Sequence, residues 1–571
     1  MIGNLKLNIL GKIKNHSLVQ RFGEAKILDL LERPKNTDHG HLALPCFALA
    51  KEMKTNPMEL AKTIAQDFSA FSDLIVKAEP MGGFVNLSFL PSVLWSEGLK
   101  IHQTNIDSLG SVSAKNEIVA IDYASPNVAK PMHVGHFRAA VIGQSIRNLA
   151  ESQGYQVLGI NHLGDWGTQF GKLIWAIQEW EPNIKWEDPD IIDGLLQLYV
   201  RFHMEAEADS SLEAKGSETF KKLENGDTRV VQLWKQVCRA SVQGYEKLFS
   251  KLGLKHDHIL GESFYSDKLD DVVDRLKTKK ILSDSEGAKV VFFPEELKMP
   301  PCLILKSDGA SIYATRDLAS AFYKIEQLKA NHLLYVVGQD QSLHFKQVFK
   351  VIEMLGYPWA KNCHHIPFGM YRFESGKMST RKGQIIEFED LINDAIVKVG
   401  QVVAEKNPDL PNKEKTIEQI AVAALIFHDL LNDRVKDVEF KWEKMLTFDG
   451  DSGPYVQYTG VRCKSILKKY GQPVMPLDHI PRDFHQRELH LIYRLLLLEE
   501  VLRVSYQQFK PNILAQYLLD VCADFSSFYR ECRVLGEAPE IETQRLMIVE
   551  MTRKVIVRGL GVLSIQTPES M

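Results

Sequence analysis

Two histidines three residues apart, His133 and His136, flank Gly135 in the segment Asp122-Tyr-Ala-Ser-Pro-Asn-Val-Ala-Lys-Pro-Met-His-Val-Gly-His. At that spacing both rings can project from one side of the first turn of a helix. Imidazoles so placed can donate hydrogen bonds to a triphosphate as negative charge builds on its departing pyrophosphate. Lys130 adds a positive charge, and Gly135, with no side chain, leaves room for a flat adenine ring against the backbone. Far downstream stands a second cationic loop, Gly376-Lys-Met-Ser-Thr-Arg-Lys-Gly. Other chemistries fit these residues poorly. The helical zinc-protease pattern needs histidines at i and i+4 with a glutamate between them. Gly167-Thr-Gln-Phe-Gly-Lys-Leu has neither the spacing nor the final Ser/Thr of a P-loop, and no G-x-G-x-x-G follows the strand.

The elements around the histidines suit nucleotide binding. Ile118 to Tyr123 reads as a buried strand. A helix follows from about Val134 to Glu151, with Phe137, Val141, Ile142, Ile146 and Leu149 on one face, and Tyr155 to Ile160 reads as a second strand. Strand, helix and strand within about forty residues is the unit of a parallel α/β sheet. The histidines then sit where a strand hands over to a helix N-terminus, whose N–H groups and dipole attract phosphate. A second αβ stretch runs from Cys302 to His365, with strands expected at Leu303 to Lys306 and Leu333 to Val337. Residues from about 180 to 300 read as a polar, mostly helical insertion. Before the sheet lies a mixed segment with a helix over Pro57 to Phe68, a strand over Phe84 to Phe89 and a polar linker from Thr104 to Asn116. From Gly453 onward the pattern is helical, over Leu489 to Val504, Ile513 to Tyr529 and Arg545 to Val562, so a separate all-helical domain is expected.

Length and composition agree with a chain of several domains. The 571 residues are 45% hydrophobic and 25% charged, ordinary for a globular protein of roughly three to four domains. The net charge of −4 and pI near 6.5 exclude a protein coated in positive charge, so nucleic acid must meet local basic patches. Such patches stand at Arg275 to Lys280, Lys377 to Lys382 and Arg462 to Lys469. The seven cysteines contain no C-x-x-C pair, which fits a reducing compartment and neither a zinc cluster nor a disulfide framework. No signal-peptide core follows Met1, and the longest apolar run, near Ile420 to Leu431, is broken by His428 and Asp429 and is too short to span a bilayer. A cytoplasmic protein with no membrane partner is expected.

Together and in this order, His133-Val-Gly-His136 and Lys377-Met-Ser-Thr-Arg resemble the HIGH and KMSKS signatures of class I aminoacyl-tRNA synthetases. The resemblance narrows to the arginyl-tRNA synthetases. It rests on the segment from Ser125 to His136, on Asn161-His-Leu-Gly-Asp-Trp-Gly-Thr-Gln-Phe-Gly, on Tyr313-Ala-Thr-Arg-Asp and on Gly453-Pro-Tyr-Val-Gln-Tyr. Gly40-His-Leu-Ala-Leu-Pro and the final Pro568-Glu-Ser-Met are weaker matches. The resemblance implies an α/β fold: an α+β N-terminal tRNA-binding module over 1–110, a Rossmann-type parallel-sheet catalytic domain over 111–445 with the helical insertion at about 180–300, and a helical anticodon-binding domain over 446–571. It implies ATP-dependent attachment of arginine to tRNA(Arg) through an arginyl-adenylate; the triphosphate chemistry adds Mg²⁺ on the ATP phosphates, and a monomer with no metal held by the protein alone is expected.

The same resemblance assigns residues. His133, His136, Lys130 and Lys377 carry catalysis, and Gly135, Met378 and Ser379 join them in binding ATP. Asp122, Asn127, Tyr313, Asp317 and Gln341 bind arginine, whose five planar donors call for carboxylates and other acceptors. Tyr458, Tyr529 and Met571 contact tRNA. Thr380 stands where the second signature usually has its second lysine; Lys130, Arg381 and Lys382 are the candidates to replace that charge. Two rivals share parts of this pattern. One is a HIGH-bearing nucleotidyltransferase that adenylates a small metabolite, usually much shorter and without a helical C-terminal domain. The other is a non-catalytic synthetase-like protein, against which the intact His133, Gly135, His136 and Lys377 argue.

Overall fold

The computed structural model describes residues 2–34, 39–373, 376–377, 387–447, 449–477 and 479–571. Its centre is a five-stranded parallel sheet built from β1 (Ile118–Asp122), β2 (Gln156–Asn161), β3 (His258–Ile259), β4 (His332–Gly338) and β5 (Cys363–Phe368), in spatial order β5-β4-β1-β2-β3. The first strand is central because it is buried almost throughout: Val119, Ala120 and Ile121 are within 1% of full burial, as a strand covered on both faces requires. The helix α1 (Val134–Ser152) connects β1 to β2 and lies against the sheet. At Gly143 it comes so close that a Cβ would sit 2.2 Å from Tyr123 Cβ, so only glycine fits this crossing. Strands are added first on one side of β1 (β2, β3) and then on the other (β4, β5), and the carboxyl ends of β1 and β4 form the crevice at which open α/β sheets bind ligands.

Two expectations needed correction in the middle of the chain. The strand expected at Leu303 to Lys306 is Cys302–Leu305, and it belongs to a separate antiparallel sheet with Leu282–Ser285 and Ala288–Val291. The hairpin between the latter two turns at Glu286 and Gly287, both with positive φ (50° and 81°). That backbone gives the tight two-residue turn whose twist suits a hairpin. The stretch read as a helical insertion does contain three helices between Ile191 and Lys251, but β3 returns the chain to the parallel sheet within it. A two-residue strand is too short to leave an alternating pattern.

The helix α2 (Tyr313–Glu326) precedes β4. After the sheet come α3 (Lys413–Leu431), α4 (Gly453–Tyr470), the pair Gln486–Leu496 and Leu498–Gln507, α5 (Pro511–Glu531) and α6 (Pro539–Val562). The helix expected over Leu489 to Val504 is thus two, broken at Leu497. Leu491, Leu495, Leu514, Leu518, Met547 and Ile556 are fully buried among these helices, which bury one apolar stripe each against the others. The N-terminal module has a three-stranded antiparallel sheet of Leu42–Pro45, Phe84–Phe89 and Ile75–Met81 flanked by helices, so it is α+β. Helices of the C-terminal part, Leu498–Gln507, α5 and α6, pack directly on α1. No helix among the described residues is long and apolar enough to cross a membrane.

Candidate active site

The loop between β1 and α1 is held open in a strained form. Ala124, Ser125 and Ala129 all have positive φ (69°, 45° and 62°), a conformation that costs about 1–3 kcal/mol per non-glycine residue and persists only where neighbours enforce it. The neighbours are visible. The Tyr245 hydroxyl lies 2.7 Å from the carbonyl oxygens of both Asn127 and Lys130, and Ala129 N–H donates to Ser241 Oγ at 3.0 Å. Val128 N–H donates to Gly164 O, and Gly164 N–H donates to Pro126 O. Gly164 permits this approach: a Cβ there would fall 2.2 Å from Asn127 Oδ1.

His133 is the N-cap of α1, and the two histidines cap each other's turn. His133 Nδ1 accepts Gly135 N–H at 3.1 Å, and His136 Nδ1 accepts His133 N–H at 3.1 Å. Two orphan donors of the helix start are thereby satisfied. The ring centroids are 3.9 Å apart. Burial lowers the pKa of both imidazoles, and His136, further depressed by its neighbour His133, falls to about 3. Both rings are therefore neutral at pH 7. Since each Nδ1 accepts, the single proton of each ring sits on Nε2, leaving two N–H donors beyond the helix start. Gly135 serves this geometry in a way the sequence reading did not foresee: a Cβ there would meet His133 Cε1 at 2.9 Å. The space is used by the capping imidazole.

The second signature returns to the same helix. Lys377 lies in the short strand Gly376–Lys377, paired through its backbone with Tyr371–Phe373. Its side chain, together with Met378, Ser379, Thr380, Arg381 and Lys382, falls outside the described residues. Beyond them the chain rejoins α1, where Glu387 bridges His133 and Phe388 N–H donates to Met132 O at 2.8 Å. The approach side is gripped by Arg138, a residue that sequence reasoning passed over. It is fully buried and donates to the carbonyls of Gly369 (2.7 Å), Lys436 (3.1 Å) and Arg434 (3.4 Å). It also pairs with buried Asp429 at 3.0 Å, which accepts the Tyr371 hydroxyl at 2.5 Å.

The proposed arginine ligands lie on β1 and the loop after it, on α2 and after β4, on differing terms. Asn127 and Gln341 are exposed, and Tyr313 is 69% exposed at the start of α2. One turn further, Asp317 accepts from His344 Nε2 at 2.5 Å. Asp122 is buried. Lys324, itself buried on α2, donates to its Oδ2, while its Oδ1 has no hydrogen-bond partner. A carboxylate the sequence reading missed is Glu262. Burial raises its pKa to about 7, Arg316 opposes, and Asp165 and Asp317 add to the rise. Asp165 in turn is held by the N–H and hydroxyl of Ser263 at 2.8 and 2.6 Å. A cation placed among Asp165, Glu262 and Asp317 would relieve their mutual repulsion. Lys130 is exposed, with its ammonium 5.2 Å from the Tyr199 ring centre.

In the helical region, Tyr458 on α4 is 44% exposed. Tyr529 on α5 is half-buried: it stacks on Phe525 at 6.0 Å and lies under the Arg462 guanidinium at 4.2 Å. It lines a groove of about 670 Å³ with Arg462, Lys469, Arg530 and Arg533. Met571 packs at the edge of the core.

Comparisons with known proteins agree along the whole chain. A family model for the tRNA synthetases class I (R) catalytic domain matches residues 101–442, one for the DALR anticodon binding domain matches 456–571, and one for the arginyl tRNA synthetase N-terminal domain matches 5–89. The chain is 40% identical over 565 residues to arginine–tRNA ligase 2 of Bacillus anthracis, covering 98% of each. It is 41% identical over 544 residues to the arginine–tRNA ligase of Clostridium beijerinckii, covering 95% of this chain and 96% of that one. Among solved structures, its fold matches the Thermus thermophilus arginyl-tRNA synthetase with a TM-score of 0.85 at 24% identity, over 100% of this chain and 99% of that one. It matches the Plasmodium falciparum enzyme with a TM-score of 0.81 at 24% identity, over 99% of each.

Proposed function

The chain belongs to the arginyl-tRNA synthetases, class I enzymes that use ATP to attach arginine to tRNA for translation, and from that premise we propose how its own residues divide the work. His133, His136 and Lys130, with Lys377, Met378 and Ser379 of the second signature, bind ATP beside Gly135. Asn127 and Gln341 hold the main-chain groups of arginine. Asp317, Tyr313 and Glu262 take the guanidinium. Asp122 acts on the same pocket from beneath, its charge balanced by Lys324. The observation that carries this reading is the reciprocal cap of His133 and His136, which leaves two neutral Nε2–H donors at a helix N-terminus in the sheet's ligand crevice.

The reaction needs no protein nucleophile. The arginine carboxylate attacks the α-phosphorus of ATP, the bond to the bridging oxygen breaks, and pyrophosphate leaves. The terminal adenosine hydroxyl of tRNA then attacks the activated carbonyl and releases AMP. For the first step the imidazole donors stabilise charge as it moves onto pyrophosphate, and neutral rings pre-oriented by caps lose nothing to reorganisation. Mg²⁺ belongs with the ATP phosphates.

The division of labour along the chain is a tRNA-binding module over 1–110, the catalytic domain over 111–445 and an anticodon-binding domain over 446–571. Tyr458, Tyr529 and Met571 are the proposed tRNA contacts, in a monomeric, cytoplasmic enzyme. The direct test is charging of bulk tRNA with radiolabelled amino acids. Arginine-dependent, ATP-dependent label on tRNA is expected, and label from another amino acid in its place would overturn the assignment.

A further inference from the structure

A line of side-chain amides and hydroxyls runs from the last helix of the C-terminal domain to the substrate loop. The last carbonyls of a helix have no N–H one turn on; at the end of α6 the Gly561 carbonyl accepts Ser564 N–H instead. Asn148, half-buried three turns along α1 from His136, supplies a donor there: its Nδ2 lies 3.0 Å from Val562 O, 3.4 Å from Gly561 O and 3.0 Å from Ser564 Oγ. Ser564 takes a left-handed conformation (φ 62°) that turns the chain over this contact. Asn148 Oδ1 accepts from Gln144 Nε2 at 2.9 Å. Gln144 Oε1 faces the Tyr123 hydroxyl at 2.9 Å and accepts Lys255 N–H at 2.8 Å, and the Tyr123 hydroxyl also reaches the Lys255 carbonyl. Tyr123 is the residue between Asp122 and the strained Ala124–Ser125 turn.

The polarity of this line is fixed from Val562 O to Gln144, and beyond it the single Tyr123 proton serves either Gln144 Oε1 or Lys255 O. Turning the Asn148 amide over would set its oxygen against two carbonyls and its nitrogen against the Gln144 amide nitrogen. Gln144 and Tyr123 are buried to within 1%, so no water competes for their bonds, and a shift at one end leaves a buried polar group unpaired at the other. Helix α6 and α5, which carries Tyr529, both pack on α1.

We propose that Asn148 is a positioning residue that couples the seating of the C-terminal domain on α1 to the geometry of the substrate loop. The inference rests on the reading that α4 and α5 receive the anticodon. When tRNA draws on those helices, the end of α6 moves with them, and Asn148, Gln144 and Tyr123 transmit that seat to Asp122 and Asn127. Asn148→Ala removes the link at a half-buried helix position where alanine is a good helix former. Asn148→Asp keeps the volume and the acceptor for Gln144 but opposes an oxygen to Val562 O.

The test compares steady-state charging of full-length tRNA(Arg) with that of a minihelix lacking the anticodon arm. For both variants kcat with full-length tRNA should fall about ten-fold, the size of a typical coupling. KM for tRNA and kcat with the minihelix should stay within two-fold of wild type. An equal fall in kcat on both substrates would make Asn148 a local support of the active site and overturn the proposal, as would an unchanged kcat on both. The reading on which it rests is judged by a different quantity, the effect of Tyr529→Ala on KM for full-length tRNA, so the two can fail separately.

Discussion

His136 has two jobs in this structure, and two substitutions separate them. Its Nδ1 closes the cap by accepting His133 N–H, and in the proposed mechanism its Nε2–H meets ATP. Asparagine carries an acceptor on a short arm that can still take the His133 N–H, but nothing reaches the Nε2 position. Alanine removes both functions. Loss of one preorganised donor to developing charge costs about 10²–10³ in rate, or ~2.7–4 kcal/mol of transition-state stabilisation. Loss of a capping acceptor costs about 1 kcal/mol of stability. His136→Asn should therefore lower arginine-dependent ATP–pyrophosphate exchange, measured with tRNA present, by about 10²–10³ while urea unfolding stays within a few tenths of a kcal/mol of wild type. His136→Ala should lose as much rate and about 1 kcal/mol of stability in addition. Neither should weaken arginine binding comparably. An active asparagine variant would remove Nε2 from the mechanism, and an alanine variant as stable as the asparagine one would remove the cap.

Other expectations follow from the same geometry. Lysine should be charged at least ~10⁴-fold less efficiently than arginine, because an ammonium leaves acceptors built for a guanidinium unpaired; efficient lysine charging by the purified protein would sink the pocket as described. Glu262 titrates near 7 in the free enzyme, and a guanidinium favours its ionised form. Efficiency toward arginine, kcat/KM, should thus be full above pH 7 and decline as pH falls through about 7, and Glu262→Gln should flatten that limb; a wild-type profile level between pH 6 and 8 would refute the role. Tyr529→Ala should raise KM for tRNA about 5- to 150-fold, the equivalent of ~1–3 kcal/mol of base stacking, with no effect on a minihelix. A large drop in melting temperature with KM unaltered would instead assign Tyr529 to packing with Phe525.

What the sequence made legible was local. The run Ile118-Val-Ala-Ile, the turn residues Ser125-Pro-Asn and the apolar spacing of Phe137, Val141 and Ile146 specify strand, loop and helix within one window, and those elements stand close to where they are expected. His133 and His136 were legible for the same reason. Partners distant in sequence were not. Lys324, which meets Asp122 across 202 residues, gives no local sign that it is buried. Arg138 reads as a polar break in an apolar face. Only the fold shows that Arg138 and Arg147 fall inside a helix with almost no exposed positions, where an unpaired charge would not survive. Glu262 opens a short 3-10 helix, Glu262–Lys268, too brief for an apolar period to mark which face meets a site. The Leu303 strand went to the wrong sheet because strand propensity carries no information about which edge a strand will join.

The charge buried on α1 is hard to account for by stability alone. Removing an ion pair such as Arg138–Asp429 from water costs several kcal/mol per ion, and apolar residues of the same size often serve folding as well or better. The positions suggest what is gained instead. Arg138 binds backbone carbonyls on either side of the second signature's stem. Arg147 binds Asp257 at 2.6 Å and Lys255 O at 2.9 Å, beside β3. Asn148 binds the end of α6. Apolar side chains in these places would pack, but packing is tolerant of sliding, whereas a guanidinium or amide bound to particular carbonyls admits one register. Each of these groups ties a different segment to the helix whose first turn carries His133 and His136. The positions of the second signature's stem, the segment entering β3 and the end of α6 are thereby set relative to one helix. A reaction whose catalysis is mostly placement of three substrates depends on that shared reference more than on any single side chain.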